Sequence, residues 1–276
     1  MQAGKKRKLK TIVVVIIVIF ISIFALLPFF EMVIMGTYQT DQLYTGVKLL
    51  PGNYLKQNLQ NIMQHEFFRF YVNSFIVAIT NTLCGMAIST MAGYAFAKYQ
   101  FKGQNLLFLI VISALAIPPQ LGLVGFVIEM RSLGWANSLL PLIVNGIANP
   151  FGVFWMRQYI TSSVPNELLE SGRIDGCGEF RILTRLVVPI IKPALITIFL
   201  IFFLWSWNDY MVPLVITTNQ KYYTIPISIS LLSTEFKNDD AARILCLTLS
   251  TIPILGMFSI GSKYLIQGLV AGSVKG

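Results

Sequence analysis

Residues 11–30 read TIVVVIIVIFISIFALLPFF, twenty positions without a single charge. A helix of about 20 apolar residues is long enough to cross the hydrocarbon core of a bilayer. A helix on the surface of a soluble domain would carry its apolar residues as one stripe, whereas this run is apolar on all sides. Lys5, Lys6, Arg7, Lys8 and Lys10 precede it. A signal peptide also begins with basic residues, but its apolar region is about 7–15 residues long and ends at a small-residue cleavage site. Residues 11–30 exceed that length and no such site follows, so the segment reads as an uncleaved first helix.

The rest of the chain follows the same pattern. Of 276 residues, 55% are hydrophobic and 12% charged, against about 25% charged in a soluble domain. The expected fold is an all-α, polytopic membrane protein with six transmembrane helices, near Thr11–Met35, Phe70–Ala97, Asn105–Met130, Ser138–Ile160, Ile191–Val212 and Ala241–Ile266. Residues 1–10 form a basic N-terminus and residues 11–276 one six-helix transmembrane domain, with a long loop, 161–190, between helices four and five. With the N-terminus in the cytoplasm, fourteen of the 21 Lys and Arg residues fall on inside segments and seven on outside segments. Basic residues concentrate on the cytoplasmic side. Both termini and loop 161–190 are therefore expected inside. The net charge of +9 suits an anionic cytoplasmic leaflet and calls for no nucleic acid.

Several functions are disfavoured. The spans lack the paired carboxylates or Ser/His arrangement of an intramembrane enzyme. Glu31, Glu129 and Asp209 are too few for a proton relay. No G-x-x-x-x-G-K-[ST] phosphate loop is present, so any ATP hydrolysis belongs to another subunit. Cys84, Cys177 and Cys246 have no metal-ligand spacing, His65 reads as a loop residue, and no metal or cofactor is expected. The spans are nonetheless not uniform. Asn73, Asn81, Gly85, Ser89, Thr90 and Gly93 in the second allow close helix approach and hydrogen bonding across helices. Pro118 and Pro119 must break or kink the third, which is tolerated where freed carbonyls face protein or a wet cavity. The fourth carries Asn145, Asn149 and Pro150. Ordinary helix packing accounts for any one of these residues; as a set they suggest a polar pathway.

Loop 161–190 contains ESGRIDGCGE at 170–179, charged and punctuated by glycines between two apolar runs. It is far longer than a helix connection needs. Pro165 suits a first helical turn, with Glu167 and Glu170 near the positive end of the helix dipole. Gly172 and Gly176 lie four apart. They would leave a flat strip for another protein's surface, or serve as turn glycines in a solvated connector.

The segment resembles the signature loop of bacterial ABC importer permeases: Glu-Ala-Ala, three residues, Gly, nine residues, Ile-x-Leu-Pro. Here it runs Glu170-Ser171-Gly172, three residues to Gly176, then nine to Leu186-Val187-Val188-Pro189. Ser171 and Gly172 replace the alanines, Leu186 the isoleucine and Val188 the leucine. These changes are small for small or apolar for apolar, although Gly in a helix costs about 1 kcal/mol against Ala. Arg173–Gly176, Pro150–Phe154, Arg157-Gln158, Trp207-Asn208-Asp209 and the C-terminal stretch 268–276 are similar to the carbohydrate branch, nearest the maltose-type second permease.

The resemblance implies a type I importer subunit in the bacterial cytoplasmic membrane, moving a mono- or oligosaccharide inward. Its implied partners are a second, different permease, two ATPase subunits and an extracytoplasmic sugar-binding protein, with membrane lipid around them. It assigns ATPase coupling to Glu167, Glu170, Ser171, Gly172, Asp175 and Gly176. Trp207, Asn208 and Asp209 suit the substrate pathway, because aromatic faces, amides and carboxylates hold sugars; for Trp207 interfacial anchoring competes equally. The alternatives are an ABC permease for a non-sugar solute and a membrane scaffold that recruits a cytosolic protein.

Overall fold

The computed structural model describes residues 2–235 and 239–273. Lys237, Lys275 and the last three residues of the stretch 268–276 lie outside the described residues. Every regular element among the described residues is helical. The contacts divide the chain into two compact units, Met1–Phe67 with Ile229–Ile252, and Phe68–Ser228 with Pro253–Gly276.

The first unit opens with α1, Gln2–Met35. The helix starts well before Thr11 because Lys and Arg are good helix formers. Its apolar stretch, Lys10–Met35, is long enough to span a bilayer; its most apolar 18-residue window holds no buried residue, and only towards its end does Ile34 become buried. A further segment follows, with α2 at Leu55–Gln64. Buried Asn58 organises it, donating from Nδ2 to the carbonyls of Gly36 (2.9 Å) and Tyr38 (2.8 Å). The last helix, α14, runs Asp240–Ser273. Asp239 caps its start, accepting from the Ala242 N–H (3.0 Å) and the Thr40 hydroxyl (3.0 Å), so one side chain satisfies a free helix-end donor.

The second unit is built round α3, Phe67–Lys98. The expected third span is a bent pair. The first limb, α4 at Gln104–Ala114, meets the second, Pro119–Ser132, at 95°; within the second limb, Leu123–Ser132 is α5. The bend lies at Pro118 and Pro119, as their missing N–H groups require. The expected fourth span, 138–160, is not one continuous helix. It is α6, Leu140–Val144, then α7, Pro150–Ser163. The cause is local. A residue before proline is driven out of the helical region, and Asn149 sits at φ −102°, ψ 110°. Its Oδ1 accepts from the Gly152 N–H at 3.2 Å, and Pro150 occupies the first turn, so a new helix starts there.

Loop 161–190 folds into α8, Asn166–Ile174, and α9, Glu179–Ile182. α9 continues through a π-helical turn, Leu183–Val187, into α10, Val188–Ile190. The expected fifth span is α11, Lys192–Trp207, followed by α12, Met211–Ile216. α13 is Ile225–Glu235. Asn73 of α3 donates to the carbonyls of Lys221 and Tyr223 (both 2.9 Å), and the Ser74 hydroxyl accepts from the Ile225 N–H (2.8 Å). Two polar residues of α3 thus anchor the segment after α12.

Candidate coupling loop and substrate pathway

One face of α3 packs on the broken fourth segment by placing small residues about one helical turn apart. Asn81, Gly85, Ser89 and Gly93 are spaced by four, hence nearly in line on one helix face. A Cβ at Gly85 would lie 3.2 Å from the Gly146 carbonyl oxygen. A Cβ at Gly93 would lie 2.6 Å from Cβ of Met156 and 2.8 Å from the backbone nitrogen of Arg157. The backbones approach as closely as glycine permits, which is how helices associate in lipid. Asn81 closes the upper end of this contact. Its Nδ2 donates to the Ile143 carbonyl at 2.7 Å, satisfying a group that the end of α6 frees.

Beside this contact lies a cavity of about 670 Å³, lined among others by Asn81, Gln120, Asn145, Asn149, Trp205 and Asp209. Pro118 and Pro119 line it as well, so the bent pair borders open space. Trp205 is 51% exposed and stacks on Phe202, with ring centroids 5.8 Å apart. Of the three expected pathway residues, only Asp209 lines the cavity, and its Oδ1 accepts from the Val212 N–H at 3.3 Å. Trp207 is 2% exposed, enclosed by Phe75, Phe203 and Tyr71 at 5.0, 5.5 and 5.6 Å. Asn208 is exposed and donates to the Leu204 carbonyl at 2.9 Å. The reason is helical rotation: a residue two positions on is turned by about 200°, so Trp205 and Trp207 face opposite ways. Trp205 was legible as an aromatic near the end of an apolar run, but not its facing.

On loop 161–190, α8 divides into a sealed side and an open side. Leu169 is 2% exposed and packs with Ile182, Val187, Ile191 and Met156. Gly172 is buried, and a Cβ there would lie 2.9 Å from Cδ1 of Leu186. Glu167, Glu170, Ser171, Asp175 and Gly176 are all exposed, and Glu167 lies in the first helical turn. Pro165 stands just ahead of the helix, at φ −65°, ψ 145°.

The two glycines do not form one flat strip. Gly176 has φ +75° and nothing within 4 Å of a Cβ. The Cys177 N–H donates to the Gly172 carbonyl and the Gly176 N–H to that of Arg173, both at 3.0 Å. This is the paired bonding of a left-handed helix stop, for which glycine is favoured. Gly172 therefore meets a limit of space, and Gly176 one of backbone conformation.

Sequence reading missed three further residues of the loop. Ile174 is 85% exposed and Phe180 74% exposed, one on each side of the Gly176 stop. Their signal is an apolar residue within a charged stretch. Glu179 bridges two elements: Oε1 accepts from Arg173 Nε at 2.7 Å and Oε2 from the Tyr94 hydroxyl at 3.1 Å. The Arg173 guanidinium, followed by the Tyr99 hydroxyl, holds the Glu179 carboxyl below its ordinary range. Among the described residues no group of three His, Cys, Asp or Glu side chains could hold a metal ion.

Residues 85–270 match the family described as "Binding-protein-dependent transport system inner membrane component". An arabinooligosaccharides transport system permease protein of Halalkalibacterium halodurans is 30% identical over 262 residues, covering 93% of this chain and 94% of that one. A trehalose/maltose transport system permease protein of Thermococcus litoralis is 30% identical over 279 residues, covering 99% of each. Among solved structures, a chain of a bacterial ABC transporter involved in the import of the acidic polysaccharide alginate superposes with a TM-score of 0.79. It is 21% identical, over 93% of this chain and 96% of that one, and so shares the fold.

Proposed function

The chain belongs to the family of inner membrane components of binding-protein-dependent transport systems, and from that premise we propose that it is one of two unlike permease subunits of an ATP-driven sugar importer. An extracytoplasmic binding protein delivers a mono- or oligosaccharide. The pathway opens between the two permeases, and two separate ATPase subunits beneath them hydrolyse ATP. Both termini and loop 161–190 lie in the cytoplasm, a reading supported by the bias of basic residues. The sugar assignment is supported by the relatives named for arabinooligosaccharides and for trehalose and maltose.

The observation that carries the coupling role is the two-sided build of α8. Its inner side is fixed by Leu169 and Gly172, and its outer side shows Glu167, Glu170, Ser171 and Asp175 beside the exposed Ile174. A large apolar side chain held outward beside charges fits an anchor seated in a partner's cleft, the usual centre of a docking site. Gly176 lets the chain turn away at once, keeping that tip narrow. Asp209, with Trp205, Asn145 and Asn149, borders the sugar's route. Trp205 offers the aromatic face that a sugar ring stacks on, whereas Trp207 and Asn208 support the helix end.

The test is to co-express the whole transporter and purify it through this chain. Ile174→Asp is expected to keep the second permease and to lose ATPase subunits by about tenfold or more, since seating a charge in an apolar cleft costs more than 1.4 kcal/mol. ATPase recovery at the wild-type level would sink the docking assignment. Cargo is checked with labelled arabinotriose, maltose and trehalose in cells carrying the complete system; uptake of none of them would remove the sugar reading.

A further inference from the structure

The coupling helix is strapped to α3 at both of its ends. At the N-terminal end, Lys98 Nζ donates to the Val164 carbonyl and to Asn166 Oδ1, the latter at 2.8 Å. At the C-terminal end, Glu179 accepts from Arg173 of α8 at 2.7 Å and from Tyr94 of α3 at 3.1 Å. The Arg173 guanidinium also lies 5.9 Å from the Tyr99 ring centroid, and the Tyr94 and Tyr99 rings meet edge to face at 5.6 Å. Lys98 and Tyr94 occupy the last turn or so of α3. Thirteen residues before Tyr94, about 20 Å along the helix, Asn81 of the same α3 lines the cavity and holds α6.

We propose that Glu179 and Lys98 are positioning residues that make α3 the lever between the ATPase-facing helix and the cavity. The inference rests on the coupling role proposed above. Leu169 and Gly172 hold α8 by apolar contact, which is not directional and tolerates sliding. Charge-assisted hydrogen bonds are short and directional, and two of them at opposite ends fix both the position and the tilt of α8 on α3. A displacement of α8 then reaches α3 without slack. The helix conveys it to Asn81 and to the close α3–α7 contact beside the cavity.

The complete transporter in proteoliposomes tests this, without the sugar being known. Gln120→Cys, on the exposed cavity wall, is placed in a background lacking Cys84, Cys177 and Cys246. Its labelling by an impermeant methanethiosulfonate reagent is timed without nucleotide and after trapping with ATP and vanadate. With Glu179 intact, the two rates are expected to differ. In Glu179→Gln the ratio should fall towards one by about fivefold, which corresponds to about 1 kcal/mol of lost coupling. ATPase subunits and basal hydrolysis should remain. Lys98→Gln should behave alike, and the exchange Arg173→Glu with Glu179→Arg should restore most of the ratio.

An unchanged ratio in both Glu179→Gln and Lys98→Gln overturns the proposal. So does loss of the ATPase subunits from Glu179→Gln, or failure of the exchanged pair to recover, because the residues would then serve assembly alone. If labelling at Gln120→Cys ignores nucleotide with Glu179 and Lys98 intact, the pathway reading itself fails and the lever falls with it. Ile174→Asp in the same preparation separates the cases, since it reports ATPase docking independently of the straps.

Discussion

α1 and α3 are both long enough to cross a membrane, yet they sit differently in the chain. The most apolar 18-residue window of α1 holds no buried residue, whereas 39% of the corresponding window of α3 is buried. The more apolar helix is the less packed. In water the opposite holds, because apolar surface drives burial. In lipid an isoleucine gains nothing by leaving the acyl chains for another helix. What brings helices together there is close backbone approach and hydrogen bonding, and α3 carries Asn73, Asn81, Gly85, Ser89 and Gly93 for both.

Three substitutions would break or sharpen that contrast. The largest effect is expected at Gly93. A leucine there must place its Cβ 2.6 Å from Cβ of Met156 and 2.8 Å from a backbone nitrogen, and backbone cannot step aside as a side-chain tip can. Overpacking costs about 1–3 kcal/mol or more, so Gly93→Leu should scarcely accumulate in membranes, measured by quantitative immunoblot. Near-normal abundance would show that the α3–α7 contact is not a stability determinant. An intermediate effect is expected at Gly176, where space is open but φ is +75°. Gly176→Ala should cost about 1–2 kcal/mol through the left-handed conformation alone. It should speed hydrogen exchange at the amides of residues 176 and 177 by roughly fivefold or more, with Gly176→Asn milder. Equal exchange in the Ala variant and the wild type would refute the helix-stop role. The smallest effect is expected in α1. Ile19 is 53% exposed, and Ile19→Ala should shift stability by less than about 0.5 kcal/mol when the purified chain is unfolded thermally in detergent. A loss of several kcal/mol there would end the contrast between the two helices.

Loop 161–190 shows how the legible and the illegible divide within a few residues. The spacing from Glu170 to Gly176 to Pro189 located the segment and its helix, because it is a linear pattern. The separate duties of Gly172 and Gly176 were not readable, since only the packing of Ile182 and Leu186 distinguishes a buried glycine from a turning one. Likewise, of Trp207-Asn208-Asp209 at the end of the fifth span, Asp209 lines the cavity while Trp207 is enclosed by aromatic rings, and the linear motif does not tell them apart. Trp205, two residues before the motif, reaches the cavity in place of Trp207.

The sequence by itself determined the all-helical membrane class, the family and the break at Pro118 and Pro119, because apolar runs, prolines and signature spacings act locally and leave linear traces. Only the tertiary structure decided that Asn81 braces the end of α6, that Ile174 and Phe180 face outward, and that Glu179 ties α8 to α3. Each of those depends on which distant backbone or side chain comes within about 3 Å, for instance Asn81 with Ile143 at 2.7 Å. Such a distance is set by how distant segments of one unit pack together, and no stretch of the chain contains it alone.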